Sequence, residues 1–208
     1  MRHSILTMAL SLAFLPAVGL AADEHKHHHH HAEEKTGKTP ELKGESLYNS
    51  STDWRDASGK ATALNSFRGQ KIILTMAYTN CTYTCPLTVA KLKKIESELA
   101  AKGVSDYKIV MASFDTARDT PAQLAAYMKK QNLPAARWVW LSPKADKDVR
   151  ELAALLGIVY SKDKQGEFSH SNIIVLLDQE GVVRERLEGL STDHKGFVAR
   201  LAGKPDDQ

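Results

Sequence analysis

Residues 71–86 read KIILTMAYTNCTYTCP, and they hold both cysteines of the 208-residue chain, Cys81 and Cys85. Their first seven residues form a nearly continuous apolar run, which is typical of a strand covered on both faces. The residues that follow, 87–102, repeat apolar side chains close to the helical period. The sequence therefore predicts that both thiols lie at a turn from a strand into a helix, and we name residues 78–85 the dithiol turn.

A dithiol at the start of a helix has a defined chemistry. Free N–H groups and the positive end of the helix dipole lower the pKa of a nearby thiol and favour the thiolate. The i, i+4 spacing of Cys81 and Cys85 also brings the two side chains to one face of a helical turn. The pair can therefore close to a disulfide or bind one soft metal ion.

The composition is that of a globular protein, with 42% hydrophobic and 25% charged residues, so we expect one domain with a buried core. The formal net charge is only +3 and both signs are mixed along the chain, which argues against a nucleic-acid partner. Two cysteines cannot form a disulfide scaffold, so the fold must be stabilised by its own core.

Residues 1–21 have the pattern of a secretory signal peptide. Arg2 and His3 form a short basic start, and residues 5–18 are an apolar segment too short to span a bilayer. Small residues before position 22 permit cleavage after Ala21. We therefore expect export to a bacterial periplasm, no membrane insertion after signal cleavage, and a periplasmic thiol reductant that keeps the dithiol reduced.

A histidine-rich segment follows the leader. Imidazoles bind Cu(II), Ni(II) and Zn(II), so the segment is an accessory metal tail or, alternatively, a purification tag or an inert solvated run. Its histidines are His25, His27, His28, His29, His30 and His31. We assign residues 22–44 to this tail and a flexible linker, 45–203 to the folded domain, and 204–208 to a C-terminal tail.

The folded domain alternates strands and helices after an N-terminal hairpin, in which Leu47 and Tyr48 pair with residues 61–64 across a turn. The predicted strands are 71–77, 108–114, 137–141, 171–177 and 182–187, and the predicted helices are 87–102, 121–131, 146–156 and 193–201. Such alternation requires a mostly parallel sheet. The predicted fold is α/β: a thioredoxin-like three-layer fold with a central mostly parallel sheet, a late antiparallel hairpin and an extra N-terminal hairpin.

His170 is the candidate third ligand. It precedes the apolar run 171–177, in a loop that faces the dithiol turn in a thioredoxin-like sheet, where sites gather at the carboxyl ends of parallel strands. Two thiolates and one imidazole suit Cu(I) or Cu(II), and with a fourth ligand they also suit Zn(II). Asp115, at the end of a predicted strand, either orients His170 or attracts a cation, or is a plain turn or capping residue.

Three segments together resemble a known family, the SCO/SenC copper chaperones. The segments are CTYTCP at residues 81–86, SFDTARDTP at residues 113–121, and a histidine directly ahead of an apolar strand. The resemblance covers residues 45–201. It implies copper bound by Cys81, Cys85 and His170. It also implies a role in assembling the binuclear copper centre of cytochrome c oxidase, with subunit II of that oxidase as the copper-receiving partner.

Three functions stay open from the residues alone. The chain is a copper metallochaperone that releases copper by ligand exchange without enzymatic turnover, or it is an enzyme, a thiol-disulfide oxidoreductase in which Cys81 attacks and Cys85 resolves the mixed disulfide. The third reading is a structural disulfide in a binding module. His170 and the three residues between the cysteines favour the chaperone, because simple reductases of this fold usually have Pro in that loop and two intervening residues.

Overall fold

The computed structural model describes residues 44–203, so the predicted signal peptide, the histidine tract and residues 204–208 lie outside the described residues. Its strands are β1 Trp54–Asp56, β2 Ala61–Thr62, β3 Lys71–Ala77, β4 Tyr107–Ser113, β5 Trp138–Pro143, β6 Tyr160–Lys162, β7 Phe168–His170, β8 Ile173–Leu177 and β9 Val183–Glu188. Its α-helices are α1 Thr84–Ala101, α2 Pro121–Lys130, α3 Asp146–Leu155 and α4 Lys195–Leu201. None of the helices in this part of the chain is long and apolar enough to cross a membrane.

Seven of these strands form one sheet, in the order β2-β1-β5-β4-β3-β8-β9. At its centre β3, β4 and β5 are parallel neighbours, and α1 and α2 provide the crossovers that parallel pairing requires. Antiparallel strands extend the sheet on both sides, β8 and β9 next to β3, and β1 and β2 next to β5. The α/β fold class predicted from the sequence is confirmed, whereas the predicted domain boundaries stay predictions.

The elements on either side of the dithiol turn are deeply anchored. Every residue of β3 after Lys71 is buried, as the continuous apolar run predicts for a strand covered on both faces. On α1 the side chains of Leu92, Ile95 and Leu99 are 0% exposed and share one helix face through their spacing of three and four residues. The dithiol turn therefore connects two elements that both belong to the core.

The N-terminal hairpin exists, but Leu47 and Tyr48 are not its first strand, so that part of the prediction was wrong. They form a 3-10 helix, Leu47–Asn49, because the hydroxyl of Ser46 accepts the Tyr48 N–H and the Leu47 N–H donates to the Gly181 carbonyl at 3.0 Å. The Tyr48 ring covers Gly181 so closely that a Cβ there would lie 2.6 Å from the ring. Long-range contacts thus override the local strand pattern, and β1 takes the place of the predicted strand.

A second hairpin, formed by β6 and β7, was not predicted. Its strands have three residues each and pair only with one another, outside the seven-stranded sheet. Periodicity over so few residues gives no usable signal, and the connecting residues 163–167 are a polar turn. We name residues 160–170 the His170 hairpin, because His170 is its last residue.

Candidate functional site

The dithiol turn places one cysteine before α1 and the other within it. The helix begins at Thr84, earlier than the sequence indicated, so that Cys85 is its second residue while Cys81 lies in the preceding turn. The Cys81 N–H faces the carbonyl of Tyr78 at 3.4 Å, which closes the turn. Cys81 is 8% exposed and Cys85 is 0% exposed, so the outer thiol is Cys81 and the covered thiol is Cys85.

The two thiols are free and lie in contact, and their pKa values are shifted in opposite directions. A hydrogen bond from the Cys85 thiol, together with the hydroxyl of Thr84 at 3.2 Å and the backbone N–H of Cys85 at 3.2 Å, lowers the pKa of Cys81 to about 4. The same thiol–thiol hydrogen bond and burial raise the pKa of Cys85 far above its usual value. At neutral pH the reduced pair is therefore a Cys81 thiolate and a Cys85 thiol, the form that attacks disulfides and binds soft metals.

His170 ends the His170 hairpin with one ring nitrogen occupied and the other without a partner. Its Nδ1 lies 3.1 Å from the carbonyl of Ser171, and since a carbonyl only accepts, Nδ1 carries the proton in the neutral ring. Its Nε2 is buried and has no hydrogen-bond partner. The ring packs against Phe114, with centroids 4.8 Å apart. A backbone carbonyl on one nitrogen and a free lone pair on the other is the usual state of a metal-ligating histidine.

Contacts on both sides of His170 reach the dithiol turn and the helix that follows it. Before His170, the backbone N–H of Phe168 donates to the Tyr78 hydroxyl at 3.2 Å. After it, the side chain of Asn172 meets the Thr88 hydroxyl at 3.4 Å, one turn into α1. The segment that carries His170 therefore contacts both the dithiol turn and the first part of α1.

The structure groups the two thiols but does not add a third ligand to them. Among residues 44–203, no three His, Cys, Asp or Glu side chains lie close enough together to hold one metal ion. Cys81 and Cys85 are in contact, whereas the His170 ring rests on Phe114. The role of His170 as third ligand stays a prediction, and so does metal binding by the histidine tract, which lies outside the described residues.

Asp115 has the contacts of a turn residue. Its side chain is fully buried, its Oδ1 accepts the backbone N–H groups of Ala117 at 3.1 Å and of Arg118 at 3.2 Å, and its Oδ2 pairs with the Arg118 guanidinium. Of the two sequence-based alternatives, these contacts match the turn residue. A role of Asp115 toward His170 would have to act through Arg118.

Sequence reasoning missed three polar residues around the dithiol turn. Asp119 is 2% exposed and accepts the backbone N–H of Thr79 at 3.0 Å, and burial raises the pKa of its carboxyl. Arg118 and Glu167 join the turn to the His170 hairpin. The sequence offered a signal only for Asp119 and Arg118, which lie in the SFDTARDTP segment, because an isolated glutamate in a polar turn looks like any surface residue.

The SCO1/SenC family model matches residues 41–203. The chain belongs to the SCO1/SenC family. One relative is a Stutzerimonas stutzeri protein whose name describes it as copper-binding. It is 25% identical to this chain over 133 residues, which make up 62% of this chain and 63% of that protein. The mitochondrial SCO2 homologue of Bos taurus is 27% identical over 133 residues, 61% of this chain and 48% of that protein. The chain thus spans 63% and 48% of the lengths of these two proteins.

The SCO1/SenC fold is also that of solved structures. The crystal structure of Arabidopsis thaliana ScoI with copper bound has a TM-score of 0.63 at 22% identity, and the match covers 73% of this chain and 94% of that one. At this identity the likeness establishes the fold. Family membership, which three segments of the sequence indicated, and the thioredoxin-like fold, which the alternation of strands and helices predicted, are confirmed.

Proposed function

We propose that this SCO1/SenC protein is a copper metallochaperone of the bacterial periplasm. It takes up copper on the reduced pair Cys81 and Cys85 with His170 as third ligand, and it delivers the copper to an acceptor protein. The signal-like leader supports export, and the names of the relatives support copper as the cargo, since one is a copper-binding protein and one was crystallised with copper bound.

The observation that carries the proposal is the buried Nε2 of His170. A buried polar atom without a hydrogen bond costs free energy, on the order of 1–3 kcal/mol, unless something binds to it. Here the lone pair belongs to a segment whose neighbours contact Tyr78 and Thr88, on either side of the two sulfurs. Thiolate and imidazole are the ligands that copper prefers among protein side chains.

The acidities of the two thiols fit uptake and release. Cys81 is already a thiolate at neutral pH, so it offers a ligand without losing a proton. Cys85 must lose its proton when copper binds, and the proton returns when copper leaves, which couples the exchange to proton transfer. This arrangement allows stepwise transfer of copper, because one cysteine holds the metal while the other is displaced by a ligand of the acceptor.

The acceptor that the family resemblance implies is the binuclear copper centre of cytochrome c oxidase, in subunit II. Any acceptor must be a copper protein that is exported to the same compartment. Before copper can bind, a thiol reductant in that compartment must reduce any Cys81–Cys85 disulfide. At neutral pH each reduction takes two electrons and one proton and gives the Cys81 thiolate and the Cys85 thiol that copper binding needs.

A second candidate function is thiol-disulfide exchange, which the contact between an acidic outer thiol and a covered thiol favours. The Cys81 thiolate would attack a substrate disulfide and release one substrate thiolate. Cys85 would then attack the mixed disulfide, release the second substrate thiol and leave a Cys81–Cys85 disulfide. This reaction does not need His170.

The test is an anaerobic copper titration of the reduced protein, in a chain whose tract histidines are replaced by glutamine. A sulfur-to-Cu(II) charge-transfer band in the visible spectrum reports thiolate ligation. His170→Ala should weaken copper binding at least about tenfold, because the loss of a ligand costs no less than the loss of a residue that supports one. His194→Gln is the matched control, because His194 is also buried but bonds to Glu98 near the C-terminal end of α1, whereas the cysteines are at its start.

The outcome separates the two functions. Weaker copper binding by His170→Ala, with an unchanged rate of reduction of a model disulfide, supports the chaperone. Copper binding equal to that of the unmodified chain, together with retained disulfide reduction, would leave the oxidoreductase as the function.

A further inference from the structure

The His170 hairpin is fixed to the domain mainly through side chains. Its two strands pair only with each other, and neither joins the seven-stranded sheet. An isolated two-stranded hairpin is at best marginally stable in water. Backbone contact at its base consists of the Ser171 N–H on the Val159 carbonyl at 2.9 Å. The position of His170 therefore depends on the contacts that the rest of the hairpin makes.

Glu167 is the centre of these contacts. Its Oε1 accepts hydrogen bonds from Asn80 Nδ2 and from Arg118 Nη1, both at 2.9 Å. Its Oε2 accepts from the hydroxyl of Tyr78 at 3.1 Å. Tyr78 and Asn80 belong to the dithiol turn, and Arg118 belongs to the loop between β4 and α2. One carboxylate of the hairpin thus gathers donors from two other segments.

Arg118 connects the hairpin to a buried anchor. Its Nη2 donates to the carbonyl of Gly166 at 2.6 Å, and its Nε donates to Asp115. Asp115 is 0% exposed and is held by backbone N–H groups of its own turn, so it cannot follow a moving hairpin. The planar guanidinium serves Asp115, Gly166 and Glu167 at once, which the single ammonium of a lysine could not do with the same geometry.

The Arg118–Glu167 pair contributes little to the free energy of unfolding, but it has a large effect on where the hairpin lies. The two side chains are 35% and 41% exposed. Ion pairs at such exposure contribute about 0–1 kcal/mol to the free energy of unfolding. The same pair nevertheless holds the hairpin to the loop between β4 and α2, and no sheet ladder joins the hairpin to the main sheet. Its effect should therefore appear in where the hairpin sits and how often it opens, and much less in global stability.

Displacing the hairpin would displace the His170 ring. Phe168, two residues earlier, packs edge-on against Tyr78 of the dithiol turn, with centroids 5.1 Å apart. His170 itself packs on Phe114, with centroids 4.8 Å apart. These ring contacts allow small sliding motions, whereas the bonds of Glu167 fix direction and distance. The polar contacts thus determine how closely the hairpin that carries the imidazole is held to the dithiol turn.

We propose that Arg118 and Glu167 form a clamp that positions His170 beside the dithiol turn and thereby slows the loss of bound copper. The proposal rests on the proposed function, and it concerns two residues that are not ligands. With the clamp closed, His170 is held ready as third ligand; with the clamp open, copper is held by the two sulfurs alone and leaves faster.

The first test measures the rate at which a Cu(I) chelator removes copper from the loaded, reduced chain with its tract histidines replaced by glutamine. Glu167→Ala should raise this rate about tenfold, within the range for residues that support a metal ligand. Glu167→Gln keeps the size and one acceptor oxygen and should restore part of the difference. Glu185→Ala is the matched control, because Glu185 also pairs with an arginine, Arg200, and lies opposite Leu176, toward the end of β8 that is away from His170.

A double-mutant cycle shows whether the clamp acts through His170. In the His170→Ala background, Glu167→Ala should change the rate by less than about twofold, since the residue that it positions is gone. An undiminished tenfold increase in that background would overturn the proposal, because it would mean that Glu167 supports the sulfurs or the fold in general.

Hydrogen exchange of the copper-free protein gives a readout that does not involve metal. Glu167→Ala and Arg118→Lys should speed exchange in residues 160–170 and leave β3 and β4 unchanged. Unchanged exchange in the hairpin, or an unchanged copper rate in Glu167→Ala while His170→Ala is fast, would overturn the clamp and leave the proposed function standing. An unchanged copper rate in His170→Ala would instead overturn the proposed function.

Discussion

The dithiol turn and the His170 hairpin carry the candidate ligands, and they are built in different ways. The dithiol turn joins β3 to α1, both anchored in the core, and its two cysteines are 8% and 0% exposed. The His170 hairpin has strands of three residues outside the main sheet, and its strand residues are half-buried or exposed. The sulfurs are placed by the fold itself, whereas the imidazole is placed by a few side-chain contacts.

This difference suggests a division of labour within one site. A thiol pair fixed by the core keeps its spacing and its acidities through many cycles of loading and unloading. An imidazole on a weakly attached hairpin can approach and leave at low cost in free energy. Under the proposed function, the first part holds copper and the second part decides how long it stays.

The largest effect should come from the dithiol turn. Cys81→Ser should weaken copper binding by more than about 100-fold, beyond what loss of a supporting residue costs, because a serine hydroxyl does not ionise at neutral pH to replace the thiolate. Anaerobic competition with a chelator measures the affinity, and the charge-transfer band should disappear.

Thr82→Ser serves as the control for Cys81→Ser, since Thr82 is the exposed neighbour in the same turn and should leave affinity unchanged. Tight copper binding that survived in Cys81→Ser would place the site elsewhere in the chain, for example in the histidine tract.

The two regions should also differ in their contribution to stability. Leu92→Ala, at a 0% exposed position on α1, should lower the free energy of unfolding by about 2–5 kcal/mol. Phe168→Ala in the His170 hairpin should cost less than about 1.5 kcal/mol, because its ring is only partly buried where it packs against the core residues Tyr78 and Phe114. Urea denaturation followed by circular dichroism measures both. Equal losses would mean that the hairpin unfolds together with the core, which contradicts the comparison.

The smallest effect is expected when the rate of alkylation of Cys81 is measured as a function of pH. Since its pKa is lowered to about 4, the thiolate is fully formed above neutrality, and the rate of alkylation by iodoacetamide should be half-maximal near pH 4. Between pH 6 and 8 the rate should change less than about twofold, whereas a thiol with a pKa of about 8.5 gains nearly tenfold per pH unit below its pKa. Peptide mass spectrometry identifies the modified cysteine.

Thr84→Val sharpens the pH comparison. Loss of the Thr84 hydroxyl removes a hydrogen bond to the Cys81 sulfur and so raises the pKa of that thiol. The midpoint of the alkylation rate should therefore move to higher pH. Thr82→Val, without such a contact, should leave the profile in place. A Cys81 profile with a midpoint near pH 8 in the unmodified chain would show that the thiol pair is not arranged as described.

Much of the main sheet could be predicted from the sequence because its elements are long and periodic. Lys71–Ala77 was predicted residue for residue, since a buried parallel strand reads as an unbroken apolar run. The start of α2 was visible in Thr120 and Pro121, and Thr120 indeed accepts the Gln123 N–H as its cap. Tyr48 was misassigned because Gly181, far along the chain, decides its conformation.

The sequence by itself determined the family, the fold class, the pair Cys81 and Cys85, and His170 as the histidine to examine, because these are local patterns of residue type and spacing. Only the tertiary structure decided that the His170 hairpin exists, that Nε2 of His170 is buried without a partner, and that Glu167 meets Asn80 and Arg118. Those facts depend on contacts between residues that are 49 to 90 positions apart in the sequence, and a local sequence pattern cannot predict such contacts.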